Sequence, residues 1–251
     1  KGGGTLGGER LDLAALNKIA ARLPLPPSVH ERLRQHPVTG LVDSLDARWD
    51  GPLEAPLDWR VRGRLSGLSV AALAAPADAK GEAVPGIPGV RGAAIDVDVG
   101  PGGGQASVSI QGGALSFPGV FEQPEIALAD LSATAHWRRD GQRIALTVAD
   151  LRLRNADAIG SFKAAWQTGD GQQAPRFPGV LDLQGSFSRA NGASVHRYLP
   201  LAIPADARHY VRDAIVKGEA RDVQVRVKGD LRHIATNQPP PGTEFRIAGK
   251  T

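Results

Sequence analysis

The chain has no cysteine and no methionine, only twelve aromatics (four Trp, two Tyr, six Phe), and no apolar run of bilayer length. Each absence removes a class of function. Without cysteine there are no disulfides, thiolate metal sites or cysteine nucleophiles. A thiol-free composition fits an oxidising compartment, where stray thiols are a liability. A membrane-crossing helix needs about 20 consecutive apolar residues. The longest uncharged stretch, residues 99–121, is instead rich in Gly, Pro, Ser and Gln and reads as strand and turn. A nucleic-acid platform needs aromatics beside its basic groups. Here the net charge of +4 comes from Lys and Arg interleaved with Asp and Glu, which describes solvated strand faces and no nucleic-acid partner. With no initiator and a start on Lys-Gly-Gly-Gly, the sequence reads as an internal piece of a longer protein, truncated at both ends.

Catalytic constellations are equally scarce. The six histidines are scattered; His30 and His36 are six apart, which is not a metal-ligand spacing on a helix. Gly249-Lys250-Thr251 ends like a phosphate-binding loop, but Glu244 stands where that loop requires its first glycine. Of the acid pairs Asp43/Asp46, Asp96/Asp98 and Asp206/Asp213, Asp96 and Asp98 lie on the polar face of an alternating strand, and carboxylates catalyse as a pair only across a substrate cleft. These residues call for no metal, no cofactor and no enzymatic reaction.

What is present is alternation. Leu57, Trp59, Val61 and Leu65 share one parity, and Ile95, Val97 and Val99 oppose Asp96 and Asp98. This period of two marks half-buried strands. Similar strands are expected over 42–49, 106–111, 115–121, 131–137, 144–153, 158–166 and 181–187. Asp140-Gly141 is a hairpin signal. The apolar parity shifts from Ile144, Leu146 and Val148 to Leu151 and Leu153, which predicts a bulge or a bend near Asp150. Helices are few. Asp12 caps a stripe of Leu13, Leu16, Ile19, Ala20 and Leu23, and a second short helix is expected over 27–36. Pro204 begins a third at its first helical position, striped by Ala207, Tyr210, Val211, Ala214 and Ile215, with Gly218 as a left-handed stop. After it Val223, Val225 and Val227 alternate with Asp222, Gln224, Arg226 and Lys228, and the helix is expected to lie on this strand as a lid. The sum is a mainly β chain: an elongated, twisted antiparallel sheet of about ten strands over 1–251, without a firm domain boundary.

Motifs carry a resemblance along nearly the whole chain. Leu16-Asn17-Lys18-Ile19-Ala20-Ala21-Arg22-Leu23-Pro24-Leu25-Pro26 precedes His36-Pro37-Val38-Thr39-Gly40 and a strand ending in Trp49. Ile87-Pro88-Gly89-Val90-Arg91-Gly92, Gly102-Gly103-Gly104 and Asn155-Ala156-Asp157-Ala158 follow. Arg197-Tyr198-Leu199-Pro200, the 210–218 helix and Val227-Lys228-Gly229-Asp230-Leu231 close the series. In this order they resemble the AsmA-like envelope proteins of Gram-negative bacteria, of the YhdP type. The chain departs from that pattern at Arg232-His233-Ile234, where the family often has an aromatic-proline pair.

The resemblance implies a periplasmic protein tethered to the inner membrane, its sheet folded into a lengthwise groove of the β-taco kind that carries phospholipids between inner and outer membranes. It carries over no catalytic residue. The candidate lining is the apolar set of the later strands: Leu146, Val148, Phe162, Trp166, Leu181, Leu183, Phe187, Val223, Val225 and Val227. The same residues could instead form the core of a closed sandwich. A second reading is a structural module that binds envelope proteins through sheet edges such as 245–247, without lipid.

Overall fold

The computed structural model describes residues 2–21, 37–52, 56–77, 81, 83–171, 176–233 and 240–250. The helix expected over 27–36 lies outside them. The fold is mainly β and antiparallel, with few and short helices. It divides into two compact units, residues 1–119 with 124–128, and residues 120–123 with 129–251.

The first unit pairs its strands in chain order: β1 (Gly3–Asp12), β2 (Val38–Asp50), β3 (Asp58–Val70), β4 (Gly89–Gly100) and β5 (Gly103–Ser116). Alternation puts Ala47, Val61 and Val99 directly opposite one another on one face, and Arg62 opposite Asp98 on the other. Helix α1 (Leu13–Ala20) starts where expected, because the Asp12 carboxylate accepts from the N–H groups of Ala14 (2.7 Å) and Ala15 (3.2 Å).

Two elements differ from the sequence expectation. Strand β1 was not foreseen, since Gly3, Gly4, Gly7 and Gly8 show no alternation of side chains. Gly4 pairs with Trp49, whose indole lies where a Cβ on Gly4 would sit. The partner strand thus supplies the apolar cover that β1 lacks. Residues 106–111 and 115–121 are not two strands. They join in β5 through a bulge at 111–113, opposite Gly92 between the pairs Arg91↔Ala114 and Ala93↔Ile110, and the chain leaves the strand after Ser116. Fully buried Ala93 and Ile110, with Val42, Leu68, Ala114 and Leu128, form the core of this unit beside these register shifts. Bulges bend the strands there.

The second unit continues with β6 (Glu125–Asp140, its first residues grouped with the first unit), β7 (Arg143–Arg154), β8 (Ala158–Gln167), β9 (Val180–Asn191), β10 (Glu219–Asp230) and β11 (Glu244–Lys250). Neighbours pair in chain order and antiparallel. Asp140 pairs with Arg143, so Gly141-Gln142 is the two-residue turn signalled by Asp140-Gly141. The parity shift also has its cause: the register jumps between Val148 and Leu151, where Ala149 and Asp150 bulge out against β8.

Between β9 and β10 lies an insertion, residues 192–218, made of a 3-10 helix (Gly192–Tyr198) and α2 (Ala205–Ala214). Here the sequence expectation needs correction. Pro204 occupies the N-cap rather than the first helical position. Gly218 is not the helix stop; α2 ends at Ile215, and the Gly218 carbonyl instead accepts from the Gly192 N–H (2.8 Å), closing the neck of the insertion. Nor does α2 lean on the valine strand. Its packing neighbour is the 3-10 helix, and its stripe stays wet, with Tyr210 74% exposed.

Candidate functional site

The cross-strand register of the second unit places all ten candidate lining residues on one face. Leu146, Trp166 and Leu181 form one row across β7 to β9. Val148, Ala164, Leu183 and Val227 form the next. Phe162, Gly185 and Val225 form a third, and Gly160, Phe187 and Val223 a fourth. The aromatics lie flat because glycines make room. A Cβ on Gly185 would strike the Phe162 ring, and one on Gly160 would strike Phe187 and Phe162. The two rings meet edge to face, with centroids 5.0 Å apart at 72°. At the far end the Trp166 Nε1–H donates to the Pro178 carbonyl (2.8 Å), and its ring stacks on Phe177.

This face is not closed like a sandwich core. Among the described residues the second unit holds a single sheet, and of the ten only Val223 is buried. The other nine keep intermediate exposure. Such a surface gains from an apolar occupant, at about 0.8 kcal/mol for each methylene taken from water.

The opposite face was not singled out by the sequence, yet it carries a hollow. A cavity of about 670 Å³ sits over β7 to β11. Its walls are two polar rows in register: Lys163, Gln184, Arg226 and Arg246; then Arg152, Ser161, Ser186, Gln224 and Ala248. Of the ten candidate lining residues, only Phe162 and Val225 line this cavity, between the two polar rows. Arg226 forms a two-pronged pair with Asp182 and lies 3.5 Å from Glu244. Its guanidinium holds the Asp182 carboxyl below the usual carboxylate range, through the hydrogen bond first. Arg152, Lys163 and Arg246 make no ion pair with a described residue.

The insertion is tied down by a polar lock. Tyr198 Oη donates to Asp157 Oδ2 (2.7 Å) and accepts from the Asn155 amide (3.0 Å). Arg197 donates to Asp157 (2.8 Å) and to Gln123 (2.8 Å). Burial, then the bond to Asp157, pushes the Tyr198 hydroxyl up to about 12. Asn155 holds the β7–β8 turn by accepting from the N–H groups of Asp157 and Ala158. Leu201 N–H donates to the Val120 carbonyl, and Arg208 pairs with Glu122 (2.8 Å), so the insertion is also fixed to residues 120–123. Two motifs far apart in sequence, Asn155-Ala156-Asp157-Ala158 and Arg197-Tyr198-Leu199-Pro200, thereby meet in one network.

Among the described residues no three His, Asp or Glu side chains gather as metal ligands. No described helix is long and apolar enough to cross a membrane. No curated protein and no solved structure matches the chain. The family model described as YhdP protein matches residues 4–250, which include both faces of the sheet and the locked insertion. The chain belongs to the YhdP family of envelope proteins.

Proposed function

We propose that this chain is a section of a bridge-like lipid-transfer protein, and that phospholipid acyl chains lie along the apolar face of β7 to β10. The observation that carries this reading is the half-open state of that face. Ten apolar side chains stand in register over four adjacent strands without a second sheet to cover them. Occupancy by many equal methylene contacts suits movement, because no single polar group fixes a lipid in place. The same reading is non-enzymatic and puts the full-length protein in the periplasm, tethered to the inner membrane by a segment outside these residues. Membership of the YhdP family supports an envelope role related to lipid.

Native mass spectrometry of the chain, before and after incubation with phosphatidylethanolamine vesicles, tests it. Bound phospholipid is expected, and Leu183→Glu should abolish it while the thermal transition and the β circular dichroism stay intact. A chain that stays lipid-free, or a Leu183→Glu variant that unfolds, overturns the assignment. The first outcome favours an assembly module acting through its sheet edges.

A further inference from the structure

The polar hollow points away from the apolar face, on the other side of a sheet one strand thick. A lipid lying on the apolar face cannot place its head group there, so the hollow needs a different occupant. Its charge is arranged in a specific way. Lys163 and Arg152 stand at the β7–β8 end, and Arg226 and Arg246 at the β10–β11 end. Arg226 and Arg246 are directly opposite each other, a like-charge pair that costs stability; the acids beside it pair with Arg226 and leave Arg246 without one. Asp182 and Glu244 answer Arg226, and Lys163 feels Asp182 at longer range, while Arg246 and Arg152 make no ion pair with a described residue. Asp150 and Glu244 leave the lining two positive charges in excess. Between the cationic ends lie Ser161, Gln184, Ser186 and Gln224, which offer both donors and acceptors.

We propose that this hollow docks an extended acidic segment of a partner protein, with acidic side chains four residues apart seated at its two cationic ends. Three features favour a peptide. Lys163 on β8 and Arg246 on β11 stand three strand spacings apart, about 14 Å, with Arg152 one strand further out, rather than converging on one phosphate-sized point. An extended chain rises about 3.3 Å per residue, so acids at positions i and i+4 are about 13 Å apart and point the same way. The uncharged middle has the mixed donor and acceptor character that a peptide backbone requires. The polar rows contain no aromatic side chain on which a base could stack.

The probe is a labelled peptide of two Glu-Glu pairs separated by Ser-Gly-Ser, with its all-Gln counterpart, titrated at physiological salt and followed by anisotropy and by amide chemical shifts. Binding of the acidic peptide alone is expected, with shifts centred on residues 161–163, 184–186 and 224–226. The double change Lys163→Glu with Arg246→Glu should weaken it at least about tenfold. An equal charge change outside the hollow, Arg138→Glu with Arg143→Glu, should leave affinity within about twofold. Equal losses for both doubles would reduce the effect to net charge and overturn the proposal. So would absence of binding, or shifts outside the hollow. Displacement of the peptide by heparin at lower concentration than by unlabelled peptide would assign the hollow to a polysaccharide and also overturn it. Lipid loading is read separately by mass spectrometry, so the two proposals stand or fall independently.

Discussion

The two units share a plan, one apolar and one polar face, but finish both faces differently. In the first, Arg60 grips Asp98 with two hydrogen bonds of 2.6 Å, Arg62 adds a third at 3.2 Å, and Arg64 pairs with Asp96 at 2.7 Å. The polar face is neutralised by an acid ladder on the adjacent strand. In the second, Lys228 still faces Asp182 and Glu244, but the next outward row puts Lys163 and Arg226 opposite Gln184, and Arg226 opposite Arg246. The apolar sides diverge too. The first unit contains the deepest aliphatic burial, Ile110 at 1% exposure, whereas the second spreads half-exposed aromatics over glycines. One unit answers the charges of its polar face internally and buries an aliphatic centre, although Trp59, Val61, Ile95, Val97 and Val99 keep intermediate exposure. The other leaves both of its faces chemically unfinished, and an unfinished face is where a ligand adds something.

Substitutions can break this contrast. The largest effect is expected at Ile110. Ile110→Ala removes three methyl(ene) groups from a closed site and should cost about 3 kcal/mol in urea unfolding. Leu183→Ala on the half-open face should cost about 1 kcal/mol or less, since water or an occupant takes the vacated space. Equal costs would mean that the second face is closed core. Next comes the lock on the insertion: Tyr198→Phe leaves the Asn155 amide without its partner and Asp157 with one donor fewer. A loss of about 1–2 kcal/mol is expected, with faster amide exchange confined to residues 192–218.

The ladder should show in the acid limb. Asp98 is held below its ordinary value of 3.8, first by its hydrogen bond to Arg60. A carboxylate depressed in the folded state resists the proton that the unfolded chain accepts. Its contribution is therefore complete above the ordinary value and is lost as pH falls below it. Asp98→Asn should make stability less steep between about pH 5 and pH 2, measured by urea titrations across that range. The smallest effect is expected from salt. One molar NaCl should lower the melting temperature only slightly, because these exposed pairs each contribute little.

Much of this was legible in the sequence where side chains alternate. Val223, Val225 and Val227 had to share a face, and the shift from Val148 to Leu151 called for a bulge or a bend, which the register shows to be a bulge. Composition alone could not show β1, because its glycines have no side chains to alternate; the ring that covers Gly4 belongs to Trp49, 45 residues later. The helix α2 illustrates a different limit. Its stripe was real, but periodicity does not say what a stripe meets, and Tyr210 meets water. The polar hollow was hidden for a third reason. Lys163, Gln184, Arg226 and Arg246 lie on four strands, and they form a row only once every intervening register is fixed.

Within each unit every strand pairs only with its neighbours along the chain. The consequence is kinetic. Closure entropy grows only slowly with loop length, so even across connections such as 71–88 each new strand can settle on the one before it without waiting for a distant partner. A chain threaded into its compartment N-terminus first would carry one open edge forward, strand by strand, on the newest strand, while β1 keeps the other. The insertion is the exception, since Leu201 must find Val120 about eighty residues back. It is therefore the last piece of its unit expected to lock, after the sheet beneath it is already built.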